Sequence, residues 1–330
     1  MTHQDASGES SEVTWQLGAT TVHGTVVRPC GPGPFPAVVM VAGSGPTDRD
    51  WNSPLLPGSN GSARLLAEAL ARAGIASLRY DKRASGPHAH ENMQALIGKL
   101  SMHSHVDELA GAVRTMASQA YVRDGRIFAL TNSEGALHAL NYLRSPAIPF
   151  AGLVLTAPPG RPVGTVARSQ LAAQAAGLPN GDALLALYDA ATARFLAGEP
   201  IVPDPALPQG VQMLLQSLST PANLPFAREL WMADASVLLR QVDIPVLVII
   251  GKKDIQVDWH ADGEPLQRAA AGRADVTFLF PENVNHVLKH EPRPPSELAL
   301  AEVVESYNAP DARLDPQAQA SVLEWLAAHA

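Results

Sequence analysis

Short apolar runs recur along the chain and alternate with longer amphipathic stretches. Runs that are apolar throughout are typical of strands buried on both faces of a sheet. We predict strands at residues 37–41, 75–80, 127–130, 152–156, 246–250 and 276–280. Between them, helical periodicity predicts helices at 62–73, 106–116, 136–143, 265–271 and 316–328. This alternation predicts an α/β fold with a mainly parallel sheet covered by helices on both faces.

Two regions depart from this alternation. Residues 13–17 and 20–27 carry β-forming residues in alternation and flank Gly18-Ala19, which predicts an antiparallel hairpin at a sheet edge. Residues 161–241 contain no strand-like run and instead contain helical pieces divided by Pro-rich turns. Those pieces are 166–176, 183–196, 211–218 and 227–232. We therefore predict a core of residues 1–160 and 242–330 with a helical insertion at 161–241.

The amino-acid composition argues against several classes of function. The chain has 330 residues, of which 46% are hydrophobic, and a formal net charge of −8, which argues against nucleic acid as a partner. The apolar runs are too short to span a bilayer, and residues 1–12 lack the features of a secretory signal, so a cytoplasmic location is predicted. Cys30 is the only cysteine, which excludes an intrachain disulfide.

A strand, a sharp turn and a helix meet at residues 128–136, and Ser133 lies at the centre of the turn. This context is typical of a nucleophile elbow, in which the turn exposes a serine Oγ above the sheet. The usual motif is Gly-x-Ser-x-Gly. Here Thr131 replaces the first Gly, so the match is partial. A serine at such a junction is also typical of an ordinary helix N-cap.

A serine nucleophile needs a histidine base that is oriented by a carboxylate. Asp254 and His286 each follow an apolar strand, in the order serine, acid, histidine that this arrangement requires. Ligands and chemistry gather at the carboxyl ends of parallel strands, where all three loops should meet. We predict that Ser133, Asp254 and His286 are catalytic. The alternatives are Asp258 for the acid and His260, His290 or His329 for the base.

An acyl-transfer site also needs two N–H donors for the oxyanion. We predict the backbone N–H of Glu134, the residue after the nucleophile, and that of Ser44 in the Gly-rich loop 42–45. A structural role is expected for the Glu134 carboxylate, near a helix N-terminus. The pairs His88/His90 and His103/His105 resemble metal-ligand pairs but lack a nearby cluster of further ligands, so no metal and no cofactor are predicted.

Several motifs together resemble the α/β-hydrolase superfamily, and within it bacterial carboxylesterases with a G-S-G-P-x-D-R-D loop and a helical cap. The motifs are residues 43–50, 79–83, 132–136, 251–257 and 285–286. The resemblance implies Ser133 as nucleophile, Asp254 as acid, His286 as base and 161–241 as the cap. Two departures are Thr131-Asn132 where the family usually has Gly-His, and Ala84-Ser85-Gly86 where it has Gly-x-Gly.

These patterns predict a serine hydrolase that acts through an acyl-enzyme on small-molecule carboxylic esters of short to medium acyl length. Two alternatives stay open. One is an amidase or peptidase with the same triad, and the other is a non-catalytic protein of the same fold that binds a ligand or partner. The sequence makes no prediction about oligomeric state.

Overall fold

A nine-stranded sheet forms the centre of the computed structural model, which describes residues 3–5, 8–298 and 307–330. Its strands are β1 (His3–Asp5), β2 (Gly8–Leu17), β3 (Thr20–Arg28), β4 (Phe35–Val41), β5 (Ala76–Tyr80), β6 (Val122–Asn132), β7 (Gly152–Thr156), β8 (Val246–Ile249) and β9 (Val276–Leu279). The spatial order is β1-β2-β3-β5-β4-β6-β7-β8-β9. Strands β1 to β3 pair antiparallel, as does β3 with β5. The remaining strands are parallel, so the predicted α/β class is confirmed.

Helices connect the strands and cover both faces of the sheet. They are α1 (Ser62–Arg72), α2 (Ala89–Leu96), α3 (Met102–Ala117), α4 (Gly135–Tyr142), α5 (Val163–Ala175), α6 (Gly181–Leu196), α7 (Gln209–Ser219), α8 (Phe226–Met232), α9 (Ala235–Leu239), α10 (Gly263–Ala269) and α11 (Pro316–His329). Within the described residues, none of these helices is both long and apolar enough to cross a bilayer.

Alternation along β4 explains the two layers of the core. Val39 and Val41 face the cluster that contains α3, α4, α9 and α10. Val38 and Met40 face the opposite cluster, which contains α1 and α11. All four side chains are at most 1% exposed. Successive side chains of a strand point to opposite faces, so an uninterrupted apolar run is what a sheet covered on both faces needs.

Helices α5 to α8 form a helical insertion between β7 and β8 with its own apolar cluster. Tyr188, Phe195 and Trp231 are the largest side chains of that cluster. Helix α9 differs, because Ala235 and Leu239 belong to the core cluster of the sheet. The packing of the insertion therefore ends with α8, before the end at residue 241 that the sequence indicates.

Local sequence explains where the predicted elements differ from the observed ones. Helix α3 begins at Met102, earlier than predicted, because Ser101 and Ser104 form a reciprocal capping box at its N-terminus. Strand β1 and helix α2 were not predicted, since neither has a strong apolar period. The β2–β3 hairpin has the predicted partners, with Leu17 opposite Thr20.

Candidate active site

The turn after β6 has the backbone geometry of a nucleophile elbow. Ser133 has φ 52°, in the left-handed region that non-glycine residues rarely adopt. Its N–H donates to Thr156 O at 2.9 Å, which fixes the turn against β7. At Gly135, a Cβ would lie 2.6 Å from Val41 O, so only glycine allows α4 to approach β4 this closely.

Thr131 occupies the position where the usual elbow has its first glycine. It is fully buried in the last part of β6 and is paired with Val41 and Leu155 of the flanking strands. Its Oγ1 lies 3.4 Å from Val154 O, and its carbonyl accepts a 2.7 Å hydrogen bond from Thr156 Oγ1. The strand thus accommodates a side chain at this position while the turn keeps its positive φ.

The structure brings Asp254 and His286 together. His286 Nδ1 lies 2.8 Å from Asp254 Oδ2. The other carboxylate oxygen accepts the N–H groups of Gln256 at 2.8 Å and Val257 at 3.0 Å. With the carboxylate on Nδ1, the proton of a neutral imidazole is held at Nδ1 and Nε2 is left as the basic nitrogen.

Asn132 connects this histidine to the elbow. Its Nδ2 donates to His286 O at 2.9 Å, a contact between residues 154 positions apart. Asn132 directly precedes Ser133 and is 5% exposed. The hydrogen bond therefore holds the loop of His286 beside the turn that carries Ser133, and sequence reasoning did not anticipate it.

The alternative acid and bases have other partners. Asp258 Oδ1 accepts the N–H groups of His260 and Ala261, which makes it a loop-capping residue. His290 pairs with Asp315 at 2.8 Å. His329 lies in the last turn of α11, where its Nδ1 is 2.8 Å from the carbonyl of Trp325.

The Gly-rich loop lies against the elbow. A Cβ at Gly43 would be 3.3 Å from Ser133 Cβ and 3.2 Å from Asn132 Oδ1, so this backbone passes Ser133 closely. Ser44 and Glu134 line the same pocket as Ser133. Among the described residues, neither the Ser44 N–H nor the Glu134 N–H donates to another backbone carbonyl.

A pocket of about 670 Å³ lies between this edge of the sheet and the helical insertion. Ser133, Ser44 and Glu134 line its polar floor. Its walls are largely apolar, and several come from the insertion: Val163, Val166, Leu214, Leu218, Leu230 and Trp231. A largely apolar lining that also carries polar side chains is typical of a small-molecule site.

Only some of the insertion's apolar side chains reach this pocket. Leu214 and Leu218 line it. Leu171 and Leu184 are instead buried within the insertion's own cluster, and Met213 is 59% exposed. Three arginines of this region have protein partners: Arg161 with Asp262, Arg168 with Asp189, and Arg228 with Phe195 O.

A second group of buried charges lies beside the elbow. Lys82 Nζ donates to Gly43 O at 2.6 Å and lies 3.5 Å from Glu134 Oε1. His138 Nε2 lies 3.0 Å from the same carboxylate oxygen. Burial alone would raise the pKa of Glu134, but Lys82 and His138 outweigh it and hold this pKa well below its usual range. The ionised carboxylate can only accept, so His138 carries its proton on Nε2.

The same group continues through His105 to Glu108 and Arg83. His105 packs on His138 with ring centroids 4.8 Å apart, and its Nδ1 lies 2.9 Å from Glu108 Oε2. Arg83 Nε donates to Glu108 Oε1 at 2.8 Å. Burial alone would raise the pKa of Glu108, but His105 and Arg83 overcome it and lower this pKa to about 2. His105 also lines the pocket.

The remaining histidines of the two sequence pairs point elsewhere. His88 Nδ1 lies 2.7 Å from Glu91 Oε1, and the ring stacks on His23 with centroids 3.8 Å apart. His90 Nδ1 lies 3.2 Å from Pro87 O. His103 is largely exposed, whereas His105 is buried against Glu108. The two histidines of each sequence pair thus have different surroundings, and neither pair forms a shared ligand set.

The G-S-G-P-x-D-R-D loop is held in place mainly by ion pairs and its own turns. Arg49 makes a two-pronged contact with Asp81, from Nε at 3.0 Å and from an Nη at 2.7 Å. Asp48 Oδ1 accepts the N–H groups of Asp50 and Asn52. These motif residues fix the Gly-rich loop against the loop after β5.

Fold and site together match one protein family. Residues 38–301 match the family model described as the alpha/beta hydrolase family, and the chain belongs to this family. The family indicated by the sequence motifs is thereby confirmed. A characterised relative is Esterase EstD of Thermotoga maritima, which is 30% identical over 268 residues. That match covers 80% of this chain but 57% of EstD, so the chain spans little more than half of its relative's length.

Solved structures show the same fold at low sequence identity. The Pyrococcus furiosus esterase Pf2001 is 16% identical with a TM-score of 0.57, and the match covers 98% of this chain and 91% of that one. A thermophilic esterase from Thermogutta terrifontis is 18% identical with a TM-score of 0.54, over 97% and 99% of the two chains. Proline iminopeptidase of Mycobacterium smegmatis is 18% identical with a TM-score of 0.55, over 97% and 98%.

Proposed function

We propose that this protein is a serine esterase that hydrolyses small carboxylic esters of short to medium acyl length. The observation that carries the proposal is the paired Asp254 and His286, tied through Asn132 to a strained Ser133 at the floor of an apolar pocket. The similarity to Esterase EstD supports the same class of substrate.

In the proposed reaction, Ser133 Oγ attacks the ester carbonyl carbon while His286 Nε2 takes the hydroxyl proton. The carbonyl oxygen becomes an oxyanion, which the N–H groups of Ser44 and Glu134 stabilise. The intermediate collapses, the ester C–O bond breaks, and His286 returns the proton to the leaving alkoxide. Water then attacks the acyl-enzyme with His286 again as base, which releases the acid and restores Ser133.

We assign the helical insertion the role of a cap over this site, within residues 161–241. Hydrogen bonds from the insertion to the core support this role. Phe226 N–H donates to Leu100 O at 2.9 Å, and Gln170 Nε2 donates to Gln256 O at 2.8 Å. Because Leu214 and Leu218 line the pocket from the insertion, the cap also limits the length of the acyl chain.

Labelling with a fluorophosphonate tests the nucleophile, and paired p-nitrophenyl esters and anilides test the substrate class. We expect labelling at Ser133, rapid hydrolysis of short and medium esters, and slow hydrolysis of matched anilides, since an alkoxide or phenolate leaves more readily than an amine. Ser133→Ala should abolish both labelling and turnover. The matched control is Ser217→Ala, because Ser217 is another serine that lines the pocket.

Three results would contradict the proposal. Full turnover in Ser133→Ala would exclude Ser133 as the nucleophile. If neither the wild type nor Ser133→Ala hydrolysed any ester, a non-catalytic binding protein of the same fold would be favoured. Comparable kcat/KM for an ester and its matched anilide would favour an amidase or peptidase with the same triad.

The acyl-length limit has its own test. Leu214→Trp should shift the preferred p-nitrophenyl ester towards shorter acyl chains, because the larger ring fills the part of the pocket that Leu214 lines. Met213→Trp is the control, since Met213 is an exposed neighbour on α7 outside the pocket. If Leu214→Trp left the preferred acyl-chain length unchanged, the cap would not select the acyl chain.

A further inference from the structure

Lys82 is a buried lysine whose amine contacts both the Gly-rich loop and the side chain of the residue after Ser133. It is the second residue after β5, is 5% exposed and lines the pocket. Its Nζ donates to Gly43 O at 2.6 Å and lies 3.5 Å from Glu134 Oε1. The first contact is with the Gly-rich loop and the second with the residue after Ser133. One side chain therefore joins the two segments that supply the proposed oxyanion donors.

The contact with Gly43 O acts on the Ser44 N–H through the peptide plane. The carbonyl of Gly43 and the N–H of Ser44 belong to one planar, trans peptide, in which the two groups point in opposite directions. A hydrogen bond that fixes the carbonyl therefore fixes the direction of the N–H. With Nζ behind this peptide, the carbonyl cannot rotate towards the pocket without losing a buried hydrogen bond.

Packing holds this peptide at its Gly43 end. Gly43 is buried against Asn132 and Ser133, whereas Ser44 and Gly45 are exposed, and a Cβ added at Gly45 would meet no atom within 4 Å. Gly45 has φ 76°, so the loop contains a residue with wide conformational freedom next to the donor. Thr47 Oγ1 donates to Ser44 O at 2.6 Å, but that contact fixes the following peptide. Lys82 thus adds a hydrogen bond at the carbonyl that links the packed Gly43 to the exposed Ser44.

The second contact restrains the other donor. The Glu134 carboxylate is held between Lys82 and His138, and the residue is 3% exposed. Its backbone N–H is therefore fixed from the side chain as well as from the elbow turn. We propose that Lys82 is a positioning residue that aligns the Ser44 and Glu134 N–H groups for the oxyanion, an inference that rests on the proposed function.

Lys82→Met tests this role because it removes the donor and keeps most of the side-chain volume. Loss of one oxyanion donor lowers kcat by about 10²–10³-fold in a serine hydrolase, so we expect kcat for a p-nitrophenyl ester to fall about 100-fold with KM nearly unchanged. Affinity for a trifluoromethyl ketone, which forms a tetrahedral oxyanion adduct with the nucleophile, should fall by a similar factor. A merely structural role would not move both quantities together.

Lys289→Met is the matched control. Lys289 is also a buried lysine, and its Nζ donates to Asn60 O and Tyr307 O, both at 2.6 Å. This variant should lose comparable stability in thermal unfolding but keep kcat and the affinity for the ketone. An equal loss of kcat in both variants would overturn the positioning role, because it would reduce the effect to general destabilisation.

A second variant covers the case in which Lys82→Met does not fold. Lys82→Cys, made in a Cys30→Ser background that has no other cysteine, can be alkylated with 2-bromoethylamine to restore an amine of nearly the original length. Recovery of kcat on alkylation supports the proposal, and a fully folded but unrecovered product contradicts it. If Ser133→Ala is inactive and Lys82→Met is fully active, only the role of Lys82 is overturned. If Ser133→Ala is active, the proposed function itself is overturned.

Discussion

Two buried carboxylate–histidine pairs lie near the elbow and differ in which ring nitrogen contacts the carboxylate. In one pair, Asp254 holds His286 by Nδ1 at 2.8 Å. In the other, Glu134 accepts from His138 Nε2 at 3.0 Å, and His138 Nδ1 faces the sulfur of Met102 at 3.3 Å. The first arrangement leaves Nε2 free for a nucleophile, whereas the second encloses both nitrogens.

The difference shows that a short contact between a carboxylate and a histidine does not by itself define a catalytic pair. His138 is 1% exposed, and burial, aided by the nearby His105 and Lys82, lowers its pKa despite the opposing effect of Glu134. It is therefore a neutral donor that helps to hold a carboxylate. The orientation of the ring and the access of its second nitrogen distinguish a base from a structural residue.

Replacing the two histidines should have the largest and most divergent effects. We expect His286→Ala to lower kcat by about 10⁴-fold or more, with little further loss in the double variant with Ser133→Ala, since members of a triad act as one unit. His138→Ala should keep kcat within about tenfold and lose about 1–3 kcal/mol of stability, because it leaves a buried acceptor without its donor. Steady-state ester hydrolysis and urea unfolding measure the two effects. Equal kinetic damage would contradict the distinction between the pairs.

Replacing the two candidate acids, Asp254 and Asp258, should have the next largest effect. Asp254→Asn should lower kcat by about 10⁴-fold, because the amide would favour the wrong tautomer of His286. Asp258→Asn is the control, since Asp258 accepts two loop N–H groups and does not contact His286. Both variants should fold, as far-UV circular dichroism and thermal unfolding can verify. If only Asp258→Asn lowered kcat, Asp258 rather than Asp254 would be the acid.

A smaller effect is expected in the pH dependence of stability, at the buried carboxylate of Glu108. The pKa of Glu108 is lowered from 4.5 to about 2, so its stabilising contribution is complete above pH 4.5 and is lost as pH falls towards 2. We expect Glu108→Gln to reduce stability at pH 7 by about 1–3 kcal/mol. The difference from wild type should shrink as pH falls through this range, as urea unfolding at several pH values can measure. A constant difference would contradict the lowered pKa.

The smallest effect is expected at Thr131. Thr131→Gly should keep ester hydrolysis within about tenfold and cost about 0.5–1 kcal/mol, the usual cost of glycine in a regular element. The reason is that Thr131 makes only a 3.4 Å side-chain contact and lies within the strand rather than in the turn. Kinetics and thermal unfolding measure both quantities. A kinetic loss as deep as that of Ser133→Ala would give Thr131 a catalytic role.

The elements that carry the proposed triad could be predicted because each residue follows an apolar strand. Ser133 follows β6, while Asp254 and His286 lie in the loops after β8 and β9. Parallel strands place such loops at one edge, so their order along the chain was sufficient. The pairing of Asp254 rather than Asp258 with His286 needed the structure, because both carboxylates lie in the same loop.

Contacts made by Lys82 and Asn132 could not be predicted for a different reason. Each donates to a backbone carbonyl, Lys82 to Gly43 O and Asn132 to His286 O. A backbone acceptor leaves no signature in the residue type at its position. The only sign in the sequence was that both residues belong to the motifs that resemble the carboxylesterases. Helix α2 escaped prediction because half of its residues are polar and only Asn92 and Leu96 are buried.

The hydrogen bond from Asn132 to His286 O has a consequence for the folding of the nascent chain during translation. It joins positions separated by 154 residues, so Ser133 is synthesised long before His286. N-terminal segments of a nascent chain begin to fold first during translation. Ser133 can therefore adopt its turn before His286 is made. On the proposed mechanism, a stalled nascent chain that ends before residue 286 would carry the nucleophile without its base.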